Sequence, residues 1–456
     1  MCGIGGVINL KKNSSKLNFN NINIMRKLLK ERGPDSDKNW ISKNKDVAIT
    51  VQRLATQDSR SIANQPCLSS DKNIILIMNG EIYNHLELKK ILIKKKYKFK
   101  SNNDAEVAAN AYHLWGQEFL KKLEGQFSIF VFDQKNNSGL IARDEHGISP
   151  LYYFNDGKKI IFSSSPFSIF KQIKMKLKLN RKALADYVIS GCMTENNTFF
   201  EKIKYLSPGH FISFKASKSS SDPKKFISKT YYYNNKFSDF SKSKNLINKI
   251  EPILSDNIRL RLNGSKNVGI FLSGGIDSVV LLAIYKKLFP KKRIETFTAV
   301  FESGKNKKLV GEHKKVSKIC KYFKCKNNLV RINSRELIKH LENSTYPPTG
   351  LLEFCFKKLA AKARKNNTEV VLSGEGADEM FFGYDHNLAL LGIFKKKFSF
   401  LNKKYKLRNL PINTKSLINC KIEDLFLFGG ADLNLENNRK KVFSPNVSKT
   451  RSLKNT

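Results

Sequence analysis

The stretch VGIFLSGGIDS at Val268–Ser278 decides how the second half of the chain folds. Its first residues are apolar and predict a short buried strand over Asn267–Leu272. The serine and two glycines that follow predict a tight turn, and apolar residues with helical spacing then predict a helix over Asp277–Leu288. A strand that turns directly into a helix is half of a βαβ unit, so the stretch predicts a parallel sheet.

The same alternation continues downstream. Strands are predicted at Glu295–Phe301, Asn328–Ile332 and Glu369–Leu372, with helices near Lys314–Tyr322 and at Leu352–Lys365 between them. Strands that alternate with helices predict an α/β domain of the Rossmann-like kind.

The glycine turn has the chemistry of an anion site. Glycines let the backbone approach a phosphate, and the N–H groups at a helix N-terminus face the anion. Ser273 and Ser278 add hydroxyl donors, whereas Asp277 repels phosphate and therefore indicates a bridging Mg²⁺. The turn is not a Walker A loop, because no Gly-Lys-Ser/Thr occurs there. A generic turn with a Ser/Asp helix cap is the alternative explanation.

A second glycine turn follows the last predicted strand, in VVLSGEGADE at Val370–Glu379, with Gly383 and Tyr384 soon after. Three acidic residues stand around its two glycines. Carboxylates placed this closely are costly to bury without a cation, which suits metal and amine chemistry.

The first half of the chain has a different pattern. Short β-rich segments bounded by Gly, Asn and Asp predict antiparallel strands, with helices interspersed at Ile22–Glu31, Asp104–Leu114 and Gln117–Leu123. The Ser- and Lys-rich stretch Ala216–Lys225 predicts a linker. The first half is therefore expected to be an α+β domain.

Cys2 is the candidate nucleophile of the first half. Removal of the initiator Met1 would place a thiol and an α-amine on one residue, and the amine, with a pKa of about 8, can activate the thiol. The alternative is a small buried residue at the start of a strand.

Six short motifs follow Cys2 in a fixed order. They are RGPD (Arg32–Asp35), QRL (Gln52–Leu54), NGEIYN (Asn79–Asn84), NDAE (Asn103–Glu106), GQF (Gly125–Phe127) and ARD (Ala142–Asp144). Together they resemble a class II, N-terminal-nucleophile glutamine amidotransferase domain over about residues 1–210. The segment Arg143–Tyr153 resembles the structural signature of that family, and His146 within it is expected to serve the turn.

The resemblance implies roles for the motif residues. Cys2 would attack the glutamine side-chain amide and form a thioester. Asn79 and the Gly80 N–H would form the oxyanion hole. Glutamine would be bound by Arg53 at its α-carboxylate and by Glu81 and Asp104 at its α-ammonium, with Leu54, Asn79 and Gly80 completing the glutamine site.

The second half resembles ATP pyrophosphatases, and the two halves together resemble glutamine-hydrolysing asparagine synthetases. By that resemblance Glu375 would assist formation or aminolysis of a β-aspartyl-adenylate, and Asp277 and Asp378 would bind Mg²⁺. The implied ATP-binding residues are Phe271, Ser273, Gly274, Gly275, Asp277, Ser278, Ala299, Ser373, Gly374 and Tyr384.

The predicted architecture is an α+β N-terminal αββα sandwich followed by an α/β parallel-sheet ATP-pyrophosphatase domain. The predicted boundaries are residues 1–215 for the amidotransferase domain, 216–240 for a linker, 241–400 for the synthetase domain and 401–456 for a shortened Lys/Asn-rich tail. The expected reaction uses Mg-ATP to adenylate the β-carboxylate of aspartate, and ammonia from glutamine displaces AMP to give asparagine.

Two alternatives remain open at the level of sequence. The acceptor could be another carboxylate, such as a sugar acid of a surface polysaccharide, because Tyr346–Gly350 and the residues after it do not read as aspartate-specific. The chain could also be a truncated paralogue that only hydrolyses glutamine or binds a partner. Only residues 385–456 follow Tyr384, without the Arg-x-Pro-Phe-Leu-Asp motif or the phosphate-binding lysine that such enzymes carry.

Composition bounds the remaining function classes. The net charge of +44 comes with lysines spread along the whole chain, which indicates compositional drift rather than a nucleic-acid partner. Seven scattered cysteines favour reduced cytosolic thiols, and the Cys320/Cys325 pair lacks the second pair of a zinc site. No secretory signal or membrane-spanning run is found, so a cytoplasmic enzyme, in a homodimer if it associates, is expected.

Overall fold

The computed structural model of the chain describes residues 2–383 apart from 13, 57, 59, 174–177, 191–192, 194–195, 218–228, 231–245, 263–266, 304–307, 345–350 and 382. These residues belong to two compact units. The first consists of Met1–Leu179 and Glu195–Ser265, and the second consists of Asn180–Thr194 and the chain from Lys266 onward. Within the described ranges, no helix combines the length and the apolar character that crossing a membrane requires.

The first unit contains two antiparallel sheets. Its strands are β1 Gly3–Asn9, β2 Ser36–Ile41, β3 Val47–Arg53, β4 Cys67–Leu68, β5 Ile74–Ile82, β6 Gly125–Asp133, β7 Ser138–Arg143, β8 Tyr152–Asn155, β9 Lys159–Ser163, β10 Ile203–Tyr205, β11 His210–Lys215 and β12 Lys229–Thr230. One sheet has the order β10-β8-β9-β1-β3-β2 and the other the order β12-β11-β7-β6-β5-β4.

Helices cover the outer faces of the two sheets. They are α1 Asn23–Leu29, α2 His85–Lys94, α3 Asp104–Trp115 and α4 Pro166–Gln172, with 3₁₀ turns at Phe19–Asn21, Lys30–Arg32, Ser61–Ala63 and Gly116–Lys122. One apolar cluster packs α1 and α4 on the first sheet, and another packs α2 and α3 on the second. A third lies between the sheets, where the Phe130 and Phe162 rings stack at 5.0 Å. These layers confirm the predicted αββα sandwich.

Helix α6, Leu246–Arg261, also belongs to the first unit. The Arg261 guanidinium lies 4.5 Å from the centre of the Tyr83 ring, in a cation–π contact. The sequence divided the chain at residues 216–240, a segment that lies largely outside the described residues. The predicted boundaries therefore stay a prediction.

Two buried, consecutive residues, Arg143 and Asp144, hold the turn after β7. The carboxylate of Asp144 is fully buried and accepts four backbone N–H groups, from Phe127, His146, Ile148 and Ser149, at 2.9–3.2 Å. The neighbouring Arg143 donates to the carbonyls of Ser149 and Leu206 at 2.8 Å and stacks on Tyr205. This geometry agrees with the structural role expected of the segment, including the turn role of His146.

The second unit contains a mainly parallel sheet. Its elements are α5 Arg181–Ser190, β13 Val268–Phe271, α7 Ile276–Leu288, β14 Glu295–Ser303, β15 Lys308–Val310, α8 His313–Tyr322, β16 Lys326–Ile332, α9 Ser334–Glu342, α10 Leu351–Lys365, β17 Val370–Leu372 and α11 Ala377–Phe381. Strand β13 pairs in parallel with β14 on one side and β17 on the other, and β16 pairs in parallel with β14. The predicted α/β sheet is confirmed.

The strand order creates a ligand crevice. From β13 the chain proceeds to β14 and β16, and it then returns to β17 on the opposite edge of β13. Parallel α/β sheets bind ligands beyond the carboxyl ends of the strands where the order reverses in this way. The two glycine turns follow β13 and β17, so both lie at this crevice.

One predicted helix is of the tighter kind. The segment Gln117–Leu123, expected to be helical, forms a 3₁₀ helix over Gly116–Lys122. Gly116 ends α3 with φ +55°, a left-handed conformation that stops the α-helix and resets the chain direction.

Asp144→Ala is expected to lower the free energy of unfolding by about 3 kcal/mol, because four backbone N–H groups lose their acceptor and two of them, on Phe127 and Ser149, are buried. The matched control is Asp156→Ala, since Asp156 also accepts two turn N–H groups but is exposed. That change should cost less than about 1 kcal/mol. Denaturant unfolding of the full chain measures both, and equal losses would contradict the proposed role of Asp144.

Candidate functional site

Cys2 is buried at the start of β1, with 6% of its surface exposed. Its Sγ accepts a hydrogen bond from the Leu54 N–H at 3.3 Å. Burial raises the pKa of the Cys2 thiol, and the Leu54 N–H opposes that shift. A thiol of this kind is protonated at neutral pH, so its use as a nucleophile requires a nearby base.

Asn79 and Gly80 lie on β5 in the central layer of the sandwich. The Asn79 side chain is fully buried, and neither its Oδ1 nor its Nδ2 has a hydrogen-bond partner among the described residues. Gly80 has φ +148°, and a Cβ there would overlap the Gln126 carbonyl oxygen. Only glycine fits this position. An unpaired buried amide is expensive, which marks Asn79 as a group that pairs with a ligand.

Arg53 ends β3 and is held by the segment that follows it. Its Nη1 donates to Asn64 Oδ1 at 2.9 Å, and its Nη2 donates to the Asp58 carbonyl. Arg53 is 4% exposed, and its charge lowers the pKa of the Cys2 thiol. Arg53, the predicted binder of the glutamine α-carboxylate, therefore lies close enough to the predicted nucleophile Cys2 to affect its pKa.

Asp104 begins α3 and joins that helix to the end of β5. Its Oδ2 accepts the Ile82 N–H at 2.8 Å, and its charge raises the pKa of the Cys2 thiol. Burial raises the pKa of Asp104 itself to about 6. A bound ammonium beside Asp104 would favour its ionised form. A cationic ligand would therefore lower the pKa of this carboxyl group.

Arg32 is a residue of this site that the sequence reasoning missed. Its Nε donates to the Cys2 carbonyl at 3.2 Å. Its Nη2 is buried without a partner among the described residues, and burial lowers the pKa of Arg32. The signal was available, because Arg32 opens the quoted RGPD motif.

The two glycine turns of the second unit have matching conformations. Gly274 and Gly376 both have φ +88°, which places each turn in the left-handed region. The Ser278 hydroxyl donates to the Gly275 carbonyl at 3.0 Å and lies 3.2 Å from the Ser273 hydroxyl. These contacts fix the first turn at the N-terminus of α7.

A pocket of about 380 Å³ opens over both turns. Its polar side is formed by predicted site residues together with Glu312, which the sequence did not indicate. Its apolar side is formed by Phe271, Ala299 and further residues that the sequence did not indicate. The latter are Phe297, Phe301, Leu352, Cys355, Phe356 and Leu359. Helix α10 supplies four of them, and only the tertiary fold shows that this helix lines the pocket. A pocket with one apolar side and one polar side at two glycine turns suits a ligand that has an apolar ring and an anionic group.

The carboxylates Asp277, Glu312, Glu375 and Asp378 all line this pocket. Asp277 approaches the second turn closely, since a Cβ on Gly374 would lie 2.9 Å from the Asp277 Cβ. Within the described residues, no three Asp, Glu, His or Cys side chains form a ready metal cage. Mg²⁺ typically takes one or two carboxylates and completes its shell with phosphate and water, so Asp277 and Asp378 fit that mode of binding.

The structure thus gathers most predicted site residues into two sites. Nine predicted residues line the pocket: Phe271, Ser273, Asp277, Ser278, Ala299, Ser373, Gly374, Glu375 and Asp378. Gly274 and Gly275 lie in the first turn but not in the lining. Tyr384 and Tyr346–Gly350 lie outside the described residues. Cys320 and Cys325 have no further metal-ligating neighbours within the described ranges.

Comparison with known proteins matches both halves. A family model described as a glutamine amidotransferase domain matches residues 1–231, and one described as asparagine synthase matches residues 249–443. A Methanocaldococcus jannaschii protein, provisionally named a glutamine-hydrolysing asparagine synthetase, is 30% identical over 407 residues, which is 84% of this chain and 76% of that protein. The chain belongs to the glutamine-hydrolysing asparagine synthetase family.

Other relatives of the asparagine synthetase family are longer than this chain. Asparagine synthetase 2 of Bacillus subtilis is 30% identical over 413 residues, which cover 85% of this chain and 53% of that protein. The amidase chry2 of Gibberella zeae is 25% identical over 375 residues, covering 78% and 54% respectively. The chain therefore spans about half the length of these two relatives.

The raised pKa of Asp104 predicts a pH-dependent affinity for glutamine. If the ammonium of glutamine binds ionised Asp104, the dissociation constant should rise about tenfold between about pH 7.5 and about pH 5. Calorimetric titration of a Cys2→Ala variant measures binding without turnover. An Asp104→Asn variant should bind weakly at both pH values. A dissociation constant that does not change with pH in the Cys2→Ala protein would contradict the assignment.

Gly274→Ala is expected to reduce ATP-dependent turnover more than tenfold while glutamine hydrolysis persists. The added Cβ would sit at φ +88° and 3.2 Å from Val316 Cγ2, so the turn must distort. Gly116→Ala is the control, because Gly116 also has positive φ but has no atom within 4 Å and lies in the other unit. Normal ATP turnover in Gly274→Ala would show that the turn does not hold the nucleotide.

Proposed function

We propose that this protein synthesises asparagine with glutamine as the nitrogen donor. Glutamine is hydrolysed at Cys2, ATP adenylates the β-carboxylate of aspartate, and ammonia displaces AMP. The proposal rests on two features that one chain of this family carries. The first is a buried cysteine together with a buried amide that has no partner among the described residues. The second is a pocket at two glycine turns that four carboxylates line.

In the first step, the α-amine of Cys2 takes the thiol proton, and the sulfur attacks the side-chain amide carbon of glutamine. Asn79 Nδ2 and the Gly80 N–H stabilise the oxygen of the tetrahedral intermediate. Arg53 holds the α-carboxylate, while Glu81 and Asp104 hold the α-ammonium. Collapse of the intermediate releases ammonia and leaves a thioester, which water hydrolyses to glutamate.

In the second step, the aspartate β-carboxylate attacks the α-phosphorus of ATP and expels pyrophosphate. Activation is required because a free carboxylate is a poor electrophile toward ammonia. The N–H groups and hydroxyls of Ser273–Gly275 and Ser278 would hold the phosphates, and Phe271 and Ala299 would hold the adenosine. Mg²⁺ bound by Asp277 and Asp378 would neutralise phosphate charge. Glu375 lies at the same pocket, where it can take a proton from the attacking ammonia.

The proposed ligands are therefore glutamine, aspartate, ATP and Mg²⁺. The assignment of aspartate as the acceptor rests on the family alone, because Tyr346–Gly350, the stretch expected to recognise the acceptor, lies outside the described residues. Cytoplasmic location and homodimer formation stay predictions from the sequence.

Cys2→Ala tests the assignment of the two reactions to separate sites. The variant should lose glutamine-dependent synthesis by more than about a thousandfold, because it has no nucleophile, and keep synthesis from ammonium chloride. Asparagine and AMP are measured with each nitrogen source, and the unmodified protein with ammonium chloride is the control.

Retained use of glutamine by Cys2→Ala would show that the nucleophile assignment is wrong. AMP formation with a uronic acid but not with aspartate, in the same assay, would move the proposal to another acceptor.

A further inference from the structure

We propose that Asp58 is a positioning residue that sets the separation between the two ends of the glutamine site. This inference rests on the proposed function, in which Arg53 binds the α-carboxylate and Asp104 binds the α-ammonium. Neither group is fixed by its own strand or helix alone. Both are attached to one short segment, of which residues 58 and 60–64 are described, and Asp58 provides a contact to each side.

The first attachment is to Arg53. Its Nη2 donates to the Asp58 carbonyl at one end of the segment, and its Nη1 donates to Asn64 Oδ1 at the other end, at 2.9 Å. Two donors held by two acceptors fix both the position and the plane of the guanidinium. A shift of the segment therefore moves the group that receives the α-carboxylate.

The second attachment is to the residues just before Asp104. The carboxylate Oδ2 of Asp58 accepts the Asn102 N–H at 3.1 Å. The Asn103 side chain donates to the Ala63 carbonyl and also caps α3 by accepting the Ala105 N–H at 2.8 Å. The start of α3, which carries Asp104, is therefore tied to the same segment.

The Asp58 carboxylate is saturated by these internal contacts. Its Oδ1 accepts the Arg60 Nε at 2.9 Å and the Arg60 N–H at 3.1 Å, and its Oδ2 also accepts the Arg60 Nη2 at 2.6 Å. Asp58 is 7% exposed, and its bonds to Arg60 hold the pKa of the carboxyl well below its usual range. With its lone pairs occupied in this way, the carboxylate does not bind the substrate. Asp58 acts instead through its carbonyl, which holds Arg53, and through its carboxylate, which holds the segment before Asp104.

This arrangement affects discrimination between substrates. An α-amino acid presents a carboxylate and an ammonium at a fixed separation, so two receiving groups must match it to within about 0.5 Å. If the segment is loosened, a ligand that carries both an α-carboxylate and an α-ammonium should lose more affinity than a ligand that carries only one of them. The chemistry at Cys2 uses other groups and should be less affected.

The test is Asp58→Asn, which keeps the size of the side chain but removes its charge and one acceptor. The KM for glutamine should rise about tenfold with kcat changed less than about twofold, and ammonia-dependent synthesis should be unchanged. The second readout is glutaramic acid, a glutamine analogue without the α-amino group. The preference for glutamine over this analogue, as a ratio of kcat/KM, should fall about tenfold.

Asp46→Asn is the matched control, because Asp46 is also buried in the first unit but pairs with Lys16 instead. It should leave the KM and the preference for glutamine unchanged. An unchanged KM in Asp58→Asn would overturn the proposal, as would equal losses toward glutamine and glutaramic acid, which indicate a purely structural role. A parallel fall of ammonia-dependent synthesis would also overturn it. By contrast, an unmodified protein that cannot hydrolyse glutamine would refute the proposed function itself.

Discussion

The first site depends on the fully buried side-chain amide of Asn79, which has no hydrogen-bond partner in the part of the chain that the structure describes. Leaving such a group without a partner costs about 1–3 kcal/mol, and the fold maintains it by enclosing β5 between the other sheet and helices α2 and α3. Strands β1 and β3 of the facing sheet are buried along their whole length, so water does not reach this layer easily. A substrate oxygen is the natural partner, and burial strengthens the resulting hydrogen bond.

The second site depends on a different constraint, which is the left-handed backbone of two glycine turns beside adjacent parallel strands. The turns bring backbone N–H groups toward one crevice, and they also bring carboxylates there. Carboxylates and an anionic ligand repel each other in one pocket unless a cation lies between them. This lining is compatible with the proposed Mg-ATP, whose base would lie against the apolar wall from β14 and α10.

Much of this could be predicted from sequence because the decisive residues occur in short local patterns. The strand-turn-helix at Val268–Ser278 and the ordered motifs after Cys2 specify their own backbone. The contacts of Asp58 and the pocket lining from α10 could not be predicted, since each joins segments that are distant in sequence. Arg32 lay inside a quoted motif, but its contact with the Cys2 carbonyl depends on how the turn after α1 packs. The helix predicted at Gln117–Leu123 is present, but its 3₁₀ form follows a left-handed glycine that ends α3, which the apolar spacing did not indicate.

The central claim is that one chain couples glutamine hydrolysis to adenylation of a carboxylate. The most direct measurement follows glutamate, AMP, pyrophosphate and asparagine together, with the purified protein, glutamine, aspartate, ATP and Mg²⁺. The account predicts that AMP and pyrophosphate appear in equal amounts with asparagine, and that glutamate forms in at least the same amount. Release of ADP and phosphate would contradict adenylation, and release of glutamate without AMP for any carboxylate would show that the first unit works alone.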